Sequence, residues 1–357
     1  MRRHQFVLSV LMFVLLAGVQ PVAAAPRPRA APSMSAVQTV FIILMENHNW
    51  ADIHGSASAP YLNSLLPIAA HAENYHNPPN LHPSLPNYLW LEAGTNFGIT
   101  DDNPPSLDHQ STTQHLTTLL GAASVSWKAY EENISGNVCP LTDSYLYGVR
   151  HDPFVYFNDV TNTNSSASAN CIAHIRPYTE LATDLINHTV ARYNFITPNV
   201  CDDMHDSAGC TTPDSIKNGD TWLSQQVPQI LNSAAYQNNG ALFITWDESE
   251  PSALLGANPP VGMIALSPLV KRGYTNSLAY THSSTLRTFE EIFAVTPLLG
   301  DAANATDLSD LFFPVSPFPP RKPSGLIDPA PILPVPPPRP PSGPSAVGTP
   351  IPQPLRR

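Results

Sequence analysis

Short apolar runs alternate with segments of helical spacing along the middle of this chain. Residues 37–44, Val-Gln-Thr-Val-Phe-Ile-Ile-Leu, form a continuous apolar run rich in β-branched residues, which is typical of a strand buried on both faces. Residues 59–70 carry leucines at helical spacing, and Ser84 with Pro86 marks the start of another helix. The same criteria predict further strands at 125–130, 191–196, 241–246 and 261–267, and further helices at 112–120, 178–187, 221–235 and 283–295. This alternation predicts an α/β fold, a three-layer sandwich with a mostly parallel central sheet.

The two ends of the chain differ in composition from the middle. Residues 1–24 have a basic start, an apolar stretch and small residues at the end, which is the pattern of a secretory signal peptide, and the apolar stretch is too short for a permanent membrane anchor. Residues 314–357 hold 17 of the 40 prolines, which predicts a disordered tail. We therefore expect one domain over residues 35–313, in a secreted or periplasmic protein without stable membrane insertion. The tail is a candidate for contact with the cell wall, or an extension without a specific partner.

The charge of the chain is strongly asymmetric. The formal net charge is −11; the tail carries +4 and residues 1–24 carry +2, which leaves −17 for residues 25–313. Such an acidic domain is not expected to bind nucleic acid, because the phosphate backbone attracts basic surfaces. It is compatible with the binding of cations.

The chain has four cysteines, an even number that predicts two disulfides in an exported protein. Cys201 and Cys210 would close a short loop, and Cys139 and Cys171 a longer one. Three pairings are formally possible, and the sequence does not choose among them.

Polar side chains follow several of the predicted strands. Because the carboxyl ends of parallel strands lie at one edge of a sheet, these groups are expected to converge. Oxygen-rich ligands with a few histidines suit a divalent ion such as magnesium, calcium, manganese or zinc, and the sequence does not select one. The residues in question are Glu46, Asn47, Asp203, His205, Asp247 and Glu248, with His282 just ahead of the last helix.

Each of these groups has a second interpretation. Asp or Asn after a strand is ordinary turn chemistry. Asp202 and Asp203 could form a solvated loop held by a disulfide, and His282 could simply cap the last helix. The other histidines are interpreted as surface or packing residues: His71, His76, His109, His115, His151, His174 and His188.

Ser84 lies where a loop enters a predicted helix. The amino end of a helix suits a phosphate, since it offers free N–H groups and a partial positive charge. A serine hydroxyl needs a metal or a base beside it to act as a nucleophile, and a helix-capping role is the simpler alternative. The sequence has no Gly-x-Ser-x-Gly motif, so a lipase or esterase mechanism is not indicated.

Four segments together resemble a known family. Residues 40–48, which include Met45-Glu46-Asn47-His48, resemble the motif after the first strand of the phosphoesterase family of bacterial and fungal acid phosphatases and phospholipases C. Residues 82–88 (His-Pro-Ser-Leu-Pro-Asn-Tyr) resemble its nucleophile segment, residues 245–248 its paired acidic ligands, and residues 280–293 its closing histidine–helix motif. The family belongs to the alkaline-phosphatase-like superfamily, which implies that fold.

The resemblance also implies roles for single residues. A metal would be held by Glu46, Asn47, Asp247 and Glu248, with Asp203 as a further acidic group that supports the histidines. Ser84 would accept the phosphoryl group as a phosphoserine, and Asn87 would hold phosphate oxygens. His82, His205 and His282 would protonate the leaving oxygen or bind phosphate.

Two positions depart from the pattern in the family. Many relatives carry a second Asp where this chain has Glu248, and phospholipases C tend to carry Arg where it has Tyr88. Together with the compact domain, Tyr88 favours small phosphate monoesters as substrates and a metal-dependent acid phosphatase as the function. The alternatives are a phosphodiesterase of the phospholipase C type and an exported binding protein without catalysis.

Overall fold

The computed structural model describes residues 33–206, 208–250 and 258–314. The predicted signal peptide (1–24) and, apart from Pro314, the predicted tail (314–357) lie outside these residues. Within them, no helix is long and apolar enough to cross a membrane.

An eight-stranded sheet forms the centre of the domain. Its order is β5-β4-β6-β1-β7-β8-β2-β9, and β3 pairs separately with β10. All neighbours from β5 to β7 are parallel, whereas β8 runs antiparallel to both β7 and β2. The strands are β1 (Thr39–Met45), β2 (Ala70–Ala72), β3 (Tyr75–His76), β4 (Trp127–Glu131), β5 (Ile175–Pro177), β6 (Tyr193–Thr197), β7 (Gly240–Trp246), β8 (Met263–Leu266), β9 (Tyr274–Asn276) and β10 (Tyr280–Thr281). The predicted mostly parallel sheet is confirmed.

The strand β1 lies at the centre because its sequence is apolar on both faces. Ile42 lies beside Phe195 of β6 and Phe243 of β7, which are its register partners in the two neighbouring strands. Phe41 and Ile43, which point to the opposite face, are equally buried. Both faces of the sheet are therefore covered, as a parallel sheet requires.

Helices cover the two faces. On one face Phe289 of α11 packs its ring against Tyr193 and Phe243 of the sheet, and α11 contacts α3 and α5. A second group is formed by α9 with α2, α8 and α10. The helices are α1 (Trp50–Ile53), α2 (Pro60–Leu65), α3 (Ser84–Ala93), α4 (Pro105–Asp108), α5 (Leu116–Ala122), α6 (Asn158–Thr161), α7 (Ala169–His174), α8 (Glu180–Asn187), α9 (Ser215–Leu231), α10 (Ala234–Gln237) and α11 (His282–Phe293). The three-layer sandwich predicted from the sequence is confirmed.

Two predicted helices differ from those observed. The helix expected over 59–70 ends at Leu65, and Ala70–Ala72 instead forms β2, because pairing with β8 and β9 outweighs the helical preference of alanine. The helix expected over 221–235 already begins at Ser215, where Asp214 accepts a hydrogen bond from the Lys217 N–H (3.0 Å).

Both predicted disulfides form. Cys139 pairs with Cys171, and Cys201 pairs with Cys210. The second bond closes the loop after β6, which carries Asp203 and His205.

A buried histidine, His115, joins three segments of the chain. His115 is fully buried, with Nδ1 2.9 Å from Glu92 Oε1 of α3 and Nε2 3.0 Å from Asp159 Oδ1 of α6. Burial alone would lower the pKa of His115, but the hydrogen bonds to Asp159 and Glu92 outweigh it and raise this pKa to about 9. His115 is therefore a packing residue, as expected, but a charged one.

We predict a pH-dependent contribution of His115 to stability. Its pKa is higher in the folded chain than the ordinary 6.5, so the contribution is complete below pH 6.5 and is lost as the pH rises through about 9. The shift corresponds to about 3 kcal/mol of unfolding free energy. Urea unfolding of wild type and His115→Gln between pH 6 and pH 10 measures the difference, which should shrink with rising pH. The partly exposed His109→Gln is the control, and a difference for His115→Gln that does not change with pH would contradict the prediction.

Candidate active site

The predicted site residues converge at one edge of the sheet. Glu46, Asp203 and Asp247 follow the three central strands β1, β6 and β7. Ser84 is the first residue of α3, and His282 is the first residue of α11. The convergence follows from the parallel order of these strands, whose carboxyl ends share that edge.

Four carboxylates lie close together here, with almost no contact with solvent. Glu46, Asp203 and Asp247 are fully buried, and Glu248 is 4% exposed. Burial, and after it the negative charges of Asp247 and Asp203, raise the pKa of Glu46 well above its usual value. Burial and the charge of Glu248 do the same to the pKa of Asp247. Carboxylates buried in this way need a cation or protons to compensate their charge.

The Ser84 side chain forms a hydrogen bond to this cluster and does not cap the helix. The N-cap of α3 is Pro83, which provides no side-chain hydrogen bond. Asp102 Oδ1 instead accepts the N–H of Leu85 (2.9 Å). The Ser84 hydroxyl donates to Glu46 Oε2 (3.0 Å) and is 2% exposed. The helix-capping alternative for Ser84 therefore does not apply.

Asn47 shows that the cluster fits a metal ion. Its backbone N–H donates to Asp247 Oδ1 (3.1 Å), and one terminal atom of its amide lies 3.0 Å from Asp247 Oδ1 and 2.7 Å from Glu46 Oε2. With the amide nitrogen in that place, Asn47 donates to both carboxylates. With the amide oxygen there, three oxygens converge as they do around a hard cation. Asp247 Oδ2 has no hydrogen-bond partner in the described part of the chain, which leaves it available as a ligand.

Glu248 connects the carboxylates to two further predicted residues. Asn87 Nδ2 donates to Glu248 Oε2 (2.9 Å), and His82 Nδ1 lies 2.8 Å from the same oxygen. The hydrogen bond with Glu248 raises the pKa of His82. About a third of the His82 side chain is exposed, so it lies at the mouth of the site.

The other two predicted histidines differ in their surroundings. His205 Nδ1 lies 2.9 Å from Asp206 Oδ1, its backbone N–H donates to Asp203 Oδ1 (2.7 Å), and 27% of its side chain is exposed. His282 is fully buried: Nε2 contacts the main-chain oxygen of Asp247, and Nδ1 lies 2.9 Å from Tyr75 Oη. His205 can thus reach a ligand, whereas both ring nitrogens of His282 already have partners.

Two residues of the site, His151 and Tyr88, were not predicted from the sequence. His151 was expected to be a packing or surface residue, yet its Nε2 lies 3.3 Å from Glu46 Oε1 and its Nδ1 3.3 Å from Asp203 Oδ2. Tyr88 stacks on the His151 ring (centroids 5.2 Å apart) and its hydroxyl donates to Glu46 Oε1. Nitrogen and oxygen atoms of Glu46, His151 and His205 lie within 4.8 Å of one another.

A sequence signal existed for only one of the two. Tyr88 is four residues after Ser84 and so lies on the same face of α3. His151 lies in the 3₁₀ turn Val149–His151, outside the predicted elements, and only the folded chain brings it to Glu46.

Comparisons with known proteins identify the family of the chain. The model of the phosphoesterase family matches residues 57–296. A phosphatidylinositol-3-phosphatase of Mycobacterium tuberculosis is 30% identical over 79% of this chain and 85% of that protein. A probable acid phosphatase of Kluyveromyces lactis is 25% identical over 78% of this chain, and a phosphate-repressible acid phosphatase of Penicillium chrysogenum is 27% identical over 57%. The matches span 65% and 47% of these two fungal proteins.

Solved structures agree on the fold. A protein of the alkaline phosphatase superfamily from Vibrio parahaemolyticus superimposes with a TM-score of 0.51, over 81% of this chain and 77% of that one, at 10% identity. Human ectonucleotide pyrophosphatase/phosphodiesterase 5 also has a TM-score of 0.51, over 77% of this chain and 100% of that one, at 12% identity. At such identities the likeness concerns the fold alone. Family match, relatives and site geometry together lead to one conclusion: the chain belongs to the phosphoesterase family and is a hydrolase that acts on phosphoric ester bonds.

Proposed function

We propose that the chain is an exported, metal-dependent phosphomonoesterase that works through a phosphoserine at Ser84. One observation carries the proposal: the Ser84 hydroxyl turns away from the helix it begins and donates to Glu46 Oε2 (3.0 Å) within a buried carboxylate cluster. This position favours a role as nucleophile, because a serine that caps a helix would accept a hydrogen bond from an N–H of its own helix.

In the proposed mechanism, hydrolysis takes place in two displacements at phosphorus. In the first, a bond forms between Ser84 Oγ and phosphorus while the bond from phosphorus to the leaving oxygen breaks. The hydroxyl proton moves towards Glu46 Oε2, its hydrogen-bond partner. The leaving oxygen takes a proton from a histidine at the mouth, His82 or His205, because both side chains are partly exposed. In the second displacement, water attacks phosphorus and gives a proton to the histidine, while the bond from phosphorus to Ser84 Oγ breaks and Oγ regains its proton from Glu46.

Asn87 and the start of α3 hold the phosphoryl group. The Asn87 side chain projects from the first turn of the ten-residue helix α3, and its Nδ2, which donates to Glu248 Oε2 (2.9 Å), is the atom that can donate to a phosphoryl oxygen. The partial positive charge at this helix end favours the phosphate. His282 fixes the backbone of Asp247 and is a positioning residue in this proposal.

A divalent ion held by Glu46, Asn47 and Asp247, with Glu248 beside them, would polarise phosphoryl oxygens and lower the pKa of the Ser84 hydroxyl. His151 contacts the other oxygen of the Glu46 carboxylate from the one that Ser84 binds, and its second ring nitrogen lies 3.3 Å from Asp203 Oδ2.

The names of the relatives favour monoesters. The M. tuberculosis phosphatase is named for a phosphorylated lipid headgroup, and the fungal relatives are named acid phosphatases. We propose small phosphate monoesters as substrates and phosphoinositides as one class to test. The pattern of residues 1–24 and the two disulfides support export.

We expect Ser84→Ala to lower kcat for an aryl phosphate monoester by at least about 10³-fold, because the acceptor of the phosphoryl group is lost. The chain should still fold and bind metal. Steady-state kinetics with p-nitrophenyl phosphate measure the effect. Ser283→Ala is the matched control, since Ser283 is also buried near the start of a helix but donates to Asp301. Turnover by Ser84→Ala at the wild-type rate would refute the mechanism.

We expect Asp247→Asn to weaken metal binding, because it removes charge from a carboxylate at the centre of the cluster. Metal content per chain after dialysis, measured by mass spectrometry of the elements, should fall from about one ion to well below one. Asp220→Asn serves as the control, since Asp220 is also buried but accepts hydrogen bonds from the N–H groups of Tyr61 and Leu62. Equal metal content in wild type and Asp247→Asn would remove Asp247 from the ligands.

A further inference from the structure

Arg150 lies beside the carboxylate cluster, although no sequence motif draws attention to it. It directly precedes His151 in the 3₁₀ turn Val149–His151. Its positive charge acts on Asp203 and on Asp102. Since Asp102 Oδ1 holds the N–H of Leu85 (2.9 Å), the guanidinium lies near the end of α3 at which Ser84 begins.

The guanidinium group of Arg150 has almost no partners. Its Nε lies 3.8 Å from Asp102 Oδ2, which is longer than a hydrogen bond. Within residues 33–206, 208–250 and 258–314, its N–H groups donate no hydrogen bond to a protein acceptor. Only 21% of the side chain is exposed, yet none of its nitrogens is among the buried side-chain atoms that lack a partner, so the free donors face solvent and can reach a ligand.

Other arginines of the described chain show that this is unusual. Arg176 donates to Glu180 and to two main-chain oxygens, and Arg287 donates to Glu291 and Ala303. Arg192 donates to the Gln38 oxygen, while Arg272 is exposed. Arg150 thus differs from the paired arginines, because it keeps its donors free beside the carboxylate cluster, where they can bind an anion.

The local backbone lets the guanidinium lie close to Gly148. A Cβ added at Gly148 would lie 3.1 Å from Arg150 Nη1, so glycine at this position permits the close approach of the side chain. The carboxylate cluster would also repel a phosphate dianion, and a divalent ion offsets only two of the four negative charges. An arginine at the rim supplies further positive charge, and its planar fork matches two phosphate oxygens.

We propose that the Arg150 guanidinium binds non-bridging oxygens of the phosphoryl group that is transferred to and from Ser84. The inference rests on the proposed function of Ser84 and assigns a second binding group to the same site. The phosphoryl group of a monoester has three non-bridging oxygens. Some of them can bind the arginine while the remaining ones face the proposed metal site beside Ser84. A diester has only two, so Arg150 favours monoesters over diesters.

The test compares Arg150→Ala, Arg150→Lys and Asp102→Asn in the full chain. For Arg150→Ala, kcat/KM with p-nitrophenyl phosphate should fall about 10²–10³-fold, and the dissociation constant of inorganic phosphate, measured by calorimetric titration, should rise at least about tenfold. Arg150→Lys should lie between wild type and Arg150→Ala, and added guanidinium ion should partly restore Arg150→Ala. A merely structural role would show no such rescue.

Asp102→Asn is the matched control. Its amide oxygen can still accept the Leu85 N–H, while the charge facing Arg150 is removed. If Arg150 acted only through Asp102, both variants would weaken phosphate binding equally, and the inference would be overturned. Unchanged phosphate affinity in Arg150→Ala would overturn it too, as would a loss confined to substrates with a second anionic group.

The titration also separates this inference from the proposed function. Phosphate binding requires no turnover, so it reports on Arg150 even if the wild-type chain hydrolyses no monoester. In that case the proposed function fails, and the phosphate affinity of Arg150→Ala relative to wild type still decides the role of Arg150.

Discussion

Glu46, Asp203, Asp247 and Glu248 share one buried volume at the carboxyl end of the sheet, where like charges repel strongly and water cannot screen them. Hydrogen-bond donors around the carboxylates partly offset this repulsion. Tyr88, Ser84 and Asn87, all on the first turns of α3, donate to these carboxylates. Asp247 Oδ2 and Asp203 Oδ2 have no hydrogen-bond partner in the described part of the chain, and the candidate cation site lies beside Asn47, next to Asp247 Oδ1 and Glu46 Oε2. The same arrangement places the Ser84 hydroxyl at the amino end of α3 beside this candidate cation site.

The scaffold holds this cluster from several directions. β1 is paired on both sides by parallel strands along its length, so Glu46 and Asp247 leave the sheet side by side. His282 anchors the Asp247 backbone and is itself held by Tyr75 from β3. The disulfide between Cys201 and Cys210 closes the loop that brings Asp203 to Glu46. Few of these groups are free to move, as a pre-organised site requires.

Sequence reasoning predicted those parts of the site that follow from strand order. Glu46 and Asp247 come directly after buried strands, and a parallel sheet brings such positions together. His151 could not be found in this way, because it reaches Glu46 through an irregular segment that no period marks. The helix predicted over 59–70 extends into Ala70 for a related reason, since only its pairing with β8 shows that β2 begins there. Local patterns thus specify the central strands, whereas tertiary contacts specify the edge of the sheet and the second layer of the site.

The central claim is that phosphorus undergoes two displacements, with Ser84 as the intermediate acceptor. The stereochemical course at phosphorus tests it most directly, using a thiophosphate monoester made chiral with oxygen isotopes and hydrolysed in isotopically labelled water. Each in-line displacement inverts phosphorus, so the account predicts net retention of configuration. Net inversion would show that water attacks the substrate directly, and would contradict the phosphoserine.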